Sequence, residues 1–413
     1  MARSFALRRT SHQTSESLSE RVPVRRLAAS APRLLLFGGT HAVDDLYQGA
    51  VPALLPFLAA DRHYTYAGLT GITLAATCLS SGIQPAFGVL TDRQRRGWLI
   101  AVGLLVAGVG VGLAGLGNSY LLTWLAIALS GVGVAAYHPE ATRTARGIAG
   151  DSTQAMSWFS VGGNVGIALG PLVVSPVLLA TGLRGTPLLA IPAVVTALLL
   201  AIYRPWLRAG ADQRTRPPRP SGQATVGRDD WRSFGRLTVI VICRSIAYFG
   251  VVSLLALYVI RRFHEPTAVG SAALFAFAGA GVAGSLTGGW LADRWGRLPT
   301  IRLGYVGGVP ALVLLAIAPD AGVAFVAAIV SGFMLFMPFA VQVTLGQDYL
   351  PNRIGTASGV TLGLALSVGG LAAPLFGVLA DSHGLPVTLA VLAVFPAASV
   401  ALASRLREPQ LRL

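Results

Sequence analysis

Long apolar runs, separated by short polar stretches, make up most of this chain. A transmembrane helix needs about 20 mostly apolar residues to cross roughly 30 Å of hydrocarbon, and the runs reach that length repeatedly. The pattern predicts twelve membrane-spanning helices, at residues 34–60, 67–90, 97–116, 119–141, 153–181, 185–203, 236–260, 268–291, 300–318, 321–346, 354–380 and 385–404.

Three segments lack this pattern. Residues 1–32 and 405–413 are polar ends, and residues 205–233 are rich in proline, glycine and arginine, which is typical of a linker. The first segment has no apolar core of the kind that signal peptides carry, so we expect a polar tail. The linker divides the spans into two sets of six, which predicts bundles at residues 33–204 and 234–404.

Composition agrees with a membrane protein, because 54% of the 413 residues are hydrophobic and 12% are charged, against about a quarter charged in soluble proteins. The net charge is nevertheless +15, and all 32 basic residues are arginine. Loops on one predicted face carry 27 of them, the opposite loops carry four, and Arg244 lies inside a span. This asymmetry predicts a protein of the cytoplasmic (inner) membrane with both termini in the cytoplasm, and it explains the charge without nucleic-acid binding.

Nothing in the sequence indicates an enzyme, a cofactor or a metal centre. The two cysteines, Cys78 and Cys243, fall inside predicted spans, where small apolar side chains are expected. Motifs of metalloproteases, serine hydrolases and phosphate-binding loops are absent. A membrane sensor would carry a folded soluble domain, whereas the longest stretches outside the predicted spans are about 30 residues.

The two predicted bundles are related by an internal repeat. G-V-L-T-D-R-Q-R-R at residues 88–96 and G-W-L-A-D-R-W-G-R at residues 289–297 share five residues, all displaced by 201 positions. Such a repeat of six spans is how many transporters are built. Further pairs at the same or nearly the same displacement are Tyr47 and Tyr248, Ser130 and Ser331, and Pro171 and Pro374.

The repeated segment resembles the loop signature of the major facilitator superfamily, Gly-x-Leu-x-Asp-Arg-x-Gly-Arg, and only Arg95 departs from it. The segments H-A-V-D-D, V-G-G-N-V-G-I-A-L-G-P and Q-D-Y-L-P-N-R-I-G-T-A-S-G-V resemble the fosmidomycin-resistance branch of drug exporters. The resemblance covers about residues 34–404. It implies an all-α integral membrane protein with two pseudo-symmetric six-helix bundles around a central cavity, acting as a monomer by alternating access.

The repeated loop is a candidate latch between the bundles. A carboxylate such as Asp92 at the end of a helix faces the negative end of the helix dipole, so it needs an arginine or another helix N-terminus as partner. The resemblance implies that the loop holds the bundles together on the cytoplasmic side when the transporter faces outward; a merely solvated loop is the alternative. The residues concerned are Gly88, Asp92, Arg93, Arg96, Gly289, Asp293, Arg294 and Arg297.

Span five carries small residues at four-residue spacing. Gly166 and Gly170, followed by Pro171, predict a close approach to a neighbouring helix. The resemblance adds that this pattern accompanies exporters that exchange cargo for protons.

The middle of span one is unexpectedly polar. An aspartate at the centre of a membrane helix costs roughly 2.5–3.5 kcal/mol on insertion scales, so Asp44 and Asp45 must face the bundle interior. His41 and Gln48 extend the same helical face by one turn on either side. Because burial and mutual repulsion both favour a protonated carboxyl, one of the two aspartates is a candidate proton-coupling site.

Arg244 in span seven is the counterpart of Val43 in the repeat. A buried guanidinium keeps its proton and therefore needs an anion, either an aspartate of span one or an anionic cargo. A static buried pair that only fixes helix packing is the alternative. Tyr248 joins this candidate cavity set, and Tyr47 and Asn164 are candidate cargo contacts with Arg244.

Span four ends in Y-H-P-E, where Pro139 predicts a kink or a helix end. His138, Glu140 and Arg143 could continue a proton path from span one, or they could be a polar helix end without function. A metal site is disfavoured, because His-Pro-Glu lacks established ligand spacing. Many exporters of the superfamily carry a span-four arginine where this chain has Ile127, so coupling falls to the span-one residues or Arg244, or the protein is a uniporter.

The sequence thus predicts a proton-coupled exporter of a small amphiphilic or anionic compound such as an antibiotic. Its partners would be this cargo, protons and the lipid bilayer. Proton-coupled uptake of an organic anion is the first alternative, and a membrane sensor is a more distant one. Fosmidomycin, a small phosphonate, is a candidate cargo by resemblance alone.

Overall fold

The computed structural model describes residues 24–93, 96–149, 153–211 and 228–409, and these ranges form helices joined by short loops. The N-terminal half contains α1 (Val24–Arg62), α2 (Tyr66–Arg93), α3 (Trp98–Leu113), α4 (Tyr120–Ala149), α5 (Thr153–Thr181), a 3-10 segment (Leu183–Ala190) and α6 (Ile191–Ala211). The C-terminal half contains α7 (Trp231–Phe263), α8 (Thr267–Trp295), α9 (Arg297–Ala316), α10 (Ala321–Phe336), α11 (Phe339–Tyr349), α12 (Ile354–Ser358), a π-helical segment (Gly359–Leu364), α13 (Ala365–His383), α14 (Leu385–Leu392) and α15 (Val394–Ala403).

The helices follow the twelve predicted spans. Within the described ranges, nine helices are long and apolar enough to cross a membrane, and the 16-residue α3 is a shorter apolar helix. Helix α1 is outside this set because the polar residues around Asp44 and Asp45 lower its hydropathy. The all-α membrane fold predicted from the apolar runs is therefore confirmed.

Three of the predicted spans in the C-terminal half are not continuous α-helices. Pro338 lies between α10 and α11, where its missing N–H cannot continue the helical ladder. The eleventh span passes through the π-helical segment, and the twelfth is divided between α14 and α15. Interrupted helices of this kind occur in membranes only where protein or a cavity shields the freed backbone groups.

Several helices extend beyond their predicted ends. Helix α6 continues to Ala211 and α7 begins at Trp231, so both run into the predicted linker, and α1 begins at Val24 within the predicted tail. Helix α4 also continues to Ala149, which shows that Pro139 does not end it. Residues 1–23, 94–95, 150–152, 212–227 and 410–413 lie outside the described ranges.

Within the N-terminal half, α5 packs directly on the backbone of α1. A Cβ atom at Gly166 would overlap the carbonyl oxygen of Ala42, and one at Gly170 would overlap the backbone of Gly49. Only glycine permits this approach, which brings the carbonyl groups of α5 to the polar face of α1.

The two halves meet closely on one face of the molecule. The Asp381 carboxylate at the end of α13 accepts hydrogen bonds from the first backbone N–H groups of α2, at Tyr66 (2.8 Å) and Ala67 (2.9 Å). Deeper in the same contact, Ser253 donates to the Thr73 hydroxyl at 3.1 Å. We call this side the closed face; its loops are 63–65, 114–119, 264–266, 317–320 and the turn at residue 384.

The opposite side, where most loop arginines lie, is called here the arginine-rich face. Toward this face α2 separates from the C-terminal half, because Val89 is 56% exposed and a Cβ atom at Gly82 or Gly88 would meet no atom within 4 Å. The space between the halves therefore opens toward the arginine-rich face.

Candidate functional site

The polar face of α1 meets α4 and α5 in the interior of the N-terminal half. His41, Asp44 and Asp45 are all less than a tenth exposed. His138 reaches them from α4, and its ring lies edge-on to the His41 ring with 5.2 Å between centroids. His41, Asp44 and Asp45 all lie on α1, whereas His138 is 97 positions from His41 in the sequence.

Backbone carbonyls fix both imidazole rings. His41 Nδ1 lies 2.8 Å from the Phe159 carbonyl oxygen, and His138 Nδ1 lies 2.9 Å from the Val134 carbonyl oxygen. A carbonyl oxygen can only accept a hydrogen bond, so each Nδ1 carries a hydrogen. This leaves the Nε2 atom of each ring to face the centre of the cluster.

The centre of the cluster requires a cation. The two Nε2 atoms are 3.3 Å apart, and each lies within 3.4 Å of an Asp45 carboxylate oxygen. Two neutral imidazoles would oppose their lone pairs at that distance, so at least one must carry a second proton, with the Asp45 carboxylate as counter-charge. Gln48 donates to Asp45 from the following helical turn.

A metal ion would meet the same three residues. One ligand atom from each of His41, Asp45 and His138 can be chosen so that all three lie within 4.8 Å of one another. The sequence disfavours a metal site at His138 and Glu140, and of these two residues the fold brings only His138 to this cluster. Two imidazoles with carbonyl-bound Nδ1 atoms and one carboxylate fit a proton or a metal ion geometrically.

Asp44 differs from Asp45 although the two are adjacent. Its side chain is fully buried, and neither carboxylate oxygen has a hydrogen-bond partner among the residues that the structure describes. Its nearest charged neighbour is His138, whose Nδ1 is 3.3 Å from Asp44 Oδ2 while its hydrogen points to a carbonyl. Since an unsolvated anion is costly in such a site, Asp44 is the member of the pair suited to hold its own proton.

Glu140 and Arg143 belong to a different contact. Arg143 Nη1 lies 3.8 Å from Glu140 Oε2 and donates a hydrogen bond to the Thr91 carbonyl oxygen of α2. These residues connect α4 to the last turn of α2, which is part of the repeated segment at residues 88–96. The structure therefore brings His138 but not Glu140 to the polar face of α1.

Arg244 occupies the corresponding region of the C-terminal half without a carboxylate. Only 1% of the residue is exposed, and its Nε and Nη2 atoms have no hydrogen-bond partner within the described ranges. Its guanidinium lies 4.9 Å from the centroid of the Phe339 ring and 5.7 Å from that of Phe336. Among the described residues no carboxylate lies within 4 Å of it, so the predicted pairing with Asp44 or Asp45 is not formed in this conformation.

Aromatic and polar side chains surround Arg244. Tyr305 accepts a hydrogen bond of 2.6 Å from Gln342, and the Tyr248 ring lies edge-on to the Phe336 ring with 5.1 Å between centroids. The sequence contained no signal for Tyr305, Gln342 or the two phenylalanines, because they come from α9, α10 and α11 and share no motif.

The candidate cargo contact Asn164 and the cavity residue Tyr248 lie between the halves, whereas the candidate cargo contact Tyr47 does not. Asn164 of α5 and Tyr248 of α7 line the same narrow cleft, together with Phe336. The Tyr47 hydroxyl instead donates to the Leu189 carbonyl oxygen and accepts from the Ala193 N–H, each at 3.0 Å. Tyr47 is fully buried in the N-terminal half, and we therefore remove it from the candidate cargo contacts.

The contacts that the structure gives for Arg294 and Arg297 of the predicted latch lie within the C-terminal half. Arg297 pairs with Asp348 and with Glu408 inside its own half, and Arg294 lies over the Trp290 ring at 5.7 Å. Asp293 is exposed and Arg96 is partly buried, while a Cβ atom at Gly289 would meet open space. The side chains of Asp92 and Arg93 lie outside the described part of the chain.

Comparisons with known proteins give a consistent result. A family model described as Major Facilitator Superfamily matches residues 38–374. The fosmidomycin resistance protein of Escherichia coli (strain K12) is 29% identical over 361 residues, which cover 86% of this chain and 88% of that protein. The MFS-type transporter YfnC of Bacillus subtilis (strain 168) is 28% identical over 371 residues, covering 88% and 90%.

Solved structures share the fold at low sequence identity. A bacterial homolog of the human lysosomal transporter Spinster, in an inward-facing and occupied conformation, matches with a TM-score of 0.75 at 15% identity, covering 91% of this chain and 97% of that one. The nucleoside transporter NupG, in a mutant form, matches with a TM-score of 0.72 at 14% identity, covering 90% and 98%.

Proposed function

The chain belongs to the major facilitator superfamily, and from this premise we propose that it exports a small anionic or amphiphilic compound in exchange for protons. Family membership makes it a membrane transporter rather than an enzyme. The coupling proposal rests on the buried cluster of His41, Asp45 and His138, whose geometry requires a cation at its centre. Asp44 lies beside this cluster, and its carboxylate has no hydrogen bond from the described residues.

The shared cation in this cluster is a proton. Asp45 balances the imidazolium, and Asp44 holds a second proton in the conformation described here. Opening of the closed face would separate or hydrate these groups, and a change in hydration changes which of them can stay charged. Protons would then enter from one side and leave to the other as the two halves move.

Arg244 supports an anionic cargo. A guanidinium with two unpaired nitrogen atoms in a site of aromatic rings lacks the hydrogen bonds that water would give it, and a carboxylate or phosphonate would supply them. The E. coli relative is named for resistance to fosmidomycin, so this phosphonate is the first compound to test. The aromatic rings around Arg244 fit the apolar part of an amphiphilic anion.

The arginine-rich face is the cytoplasmic face in this proposal. Its loops hold 27 of the 32 arginines, and an excess of basic residues marks the cytoplasmic side of membrane proteins. The structure would then be open toward the cytoplasm, ready to collect cargo for export. The transporter would act as a monomer in the cytoplasmic membrane.

The coupling proposal is tested by reconstituting the full chain in liposomes and imposing a pH gradient. Asp45→Asn should abolish pH-driven accumulation of fosmidomycin while cargo-for-cargo exchange continues, because exchange needs no net proton movement. Asp320→Asn is the matched control, since Asp320 caps α10 on the closed face, with its carboxylate 2.9 Å from the Val323 nitrogen. Unchanged pH-driven transport by Asp45→Asn would remove the cluster from the coupling role.

The direction of transport has its own test. Cells that lack the gene should accumulate more fosmidomycin than cells that carry it. A lower accumulation in the deletion strain would favour the alternative of proton-coupled uptake.

A further inference from the structure

A second polar cavity lies outside the space between the halves. It has a volume of about 510 Å³ and lies on the arginine-rich face of the C-terminal half, where the start of α7 meets the segment that follows α15. The lining residues are Asp230, Arg232, Ser233, Arg236, Ser404, Arg405, Leu406 and Arg407. Neither the transport mechanism nor the family resemblance uses this cavity.

Positive charge dominates the cavity. Four of its lining residues are arginines and one is an aspartate. That aspartate is already engaged, because the Asp230 carboxylate accepts a hydrogen bond of 3.0 Å from the Ser233 N–H at the start of α7. Partial burial opposes its ionisation, but the hydrogen bonds from Ser233 prevail and lower the pKa of Asp230, so it stays charged in this capping role.

In the described part of the chain the cavity arginines lack the close ion pairs that their neighbours have, and the one carboxylate of the lining, Asp230, interacts electrostatically with Arg236 alone among them. On the same face of this half, Arg297 pairs with Asp348 and Glu408, and Arg353 lies 3.6 Å from Asp229. For the four cavity arginines no ion pair within 4 Å is found in the described part of the chain. Arg236 donates one hydrogen bond, to the Arg405 carbonyl oxygen at 3.3 Å, which draws the two sides of the cavity together.

The start of α7 adds to the positive potential. Arg232 and Arg236 lie in the first two turns of the helix, near the positive end of the helix dipole, which Asp230 caps with one carboxylate. Cationic side chains are unfavourable at that end of a helix, and a bound anion would offset both contributions. Guanidinium groups match the geometry of phosphate oxygens with paired N–H donors.

The position of the cavity selects the kind of anion. Trp231 is 50% exposed beside it, and the Arg353 guanidinium lies 5.5 Å from its ring centroid. Exposed tryptophans at helix ends mark the level of the lipid head groups. A basic pocket at this level, on the face that carries most of the loop arginines, is accessible to lipids in the plane of the membrane.

We propose that this cavity binds the phosphate-bearing head group of an anionic phospholipid, held by Arg232, Arg236, Arg405 and Arg407. The lipid would join the start of α7 to the chain end after α15. This inference is independent of the transported compound, because the cavity lies outside the cleft between the halves.

The test measures the binding of three ligands to the purified full chain by the dependence of its Tm on ligand concentration. The ligands are short-chain phosphatidylglycerol, short-chain phosphatidylcholine and glycerol 3-phosphate. We expect phosphatidylglycerol to raise the Tm at lower concentration than the other two. Arg236→Gln with Arg405→Gln should weaken phosphatidylglycerol binding about 30-fold, since each basic residue near an anionic surface contributes about fivefold.

The matched control is Arg261→Gln with Arg262→Gln. These two arginines are exposed at the other end of α7, and their replacement removes the same amount of charge. It should bind phosphatidylglycerol as the unmodified chain does. Equal weakening in the control, or equal binding of phosphatidylcholine, would overturn the site. A Tm response to glycerol 3-phosphate as strong as that to the lipid would overturn the assignment to a membrane lipid.

Discussion

The two halves of this transporter have the same helical plan, yet their polar interiors are opposite in kind. In the N-terminal half, His41, Asp45 and His138 contact one another and their rings are held by backbone carbonyls. In the C-terminal half, Arg244 lies among aromatic rings with two nitrogen atoms unpaired. The two halves thus share a scaffold but differ in their buried polar side chains, which form a histidine–aspartate cluster in one half and leave an arginine among aromatic rings in the other.

The equivalent tyrosines show this divergence in a single pair. Tyr47 and Tyr248 are displaced by 201 positions in the repeat. Tyr47 uses its hydroxyl to join α1 to the backbone before and within α6, whereas Tyr248 lines the cleft between the halves and stacks on Phe277. A position conserved by duplication therefore has a structural role in one half and faces the candidate cargo path in the other.

The largest expected effect is on the free energy of unfolding, which substitutions at Asp45 and at Arg244 should change in opposite directions. Asp45→Ala would leave two imidazoles sharing buried positive charge, and breaking such a buried pair costs about 3–5 kcal/mol. Arg244→Met replaces an unpaired buried charge by an apolar side chain of similar length, which should stabilise the protein by about 1–4 kcal/mol. Thermal unfolding of both variants in detergent measures the difference.

A loss of stability in both variants would break the comparison. It would mean that Arg244 has a partner in the folded protein that offsets its burial, and the anion-binding role would then lose its main support.

Arg244→Ala should reduce transport of fosmidomycin about 30-fold or more, because removing one partner of a buried charge contact costs at least about 2 kcal/mol. A cationic dye should be transported at a nearly unchanged rate if the variant protein folds. Uptake into inverted membrane vesicles measures both compounds, with Arg262→Ala as a control for lost charge. Equal losses for anion and cation would assign Arg244 to packing alone.

Asp381→Asn tests how the halves are held together at the closed face. The amide nitrogen of asparagine cannot accept a hydrogen bond, so one of the two N–H groups at Tyr66 and Ala67 loses its acceptor at a cost of about 1 kcal/mol, and a larger fraction of molecules should open on that side. Spin labels at Leu121→Cys and Val387→Cys, with both native cysteines replaced by serine, report this opening as a longer distance. Asp320→Asn is the control, because its cap lies within one half.

If the label distance is the same in Asp381→Asn and in the unmodified chain, the contact with Tyr66 and Ala67 does not hold the halves. The asymmetry between the closed and arginine-rich faces would then depend on helix packing alone.

The smallest effects are expected for the tyrosine pair. Tyr47→Phe removes a hydroxyl with two buried partners and should lower stability by about 1–2 kcal/mol without changing cargo affinity. Tyr248→Phe should weaken cargo binding a few-fold with little change in stability. Unfolding and binding measurements give the stability and the cargo affinity of both variants. A loss of cargo affinity in Tyr47→Phe would show that Tyr47 is a cargo contact after all.

Periodicity and composition were sufficient for the fold, because apolar runs, loop charge and the 201-residue displacement are local or repeated properties of the chain. They also identified the polar face of α1, since carboxylates inside a membrane helix must face protein or water. They did not indicate the carbonyls of Val134 and Phe159 that orient the two histidines, nor the aromatic rings around Arg244.

What the sequence determined by itself is which segments enter the membrane and that an ionisable face on α1 lies inside. Only the tertiary structure decided that Asp45 contacts two histidines while Arg244 contacts none of the acids, that Glu140 belongs to a different contact, and that Asp381 caps a helix 315 positions away. The reason is physical: hydropathy acts on each segment separately, whereas hydrogen-bond partners depend on how distant helices are rotated and packed.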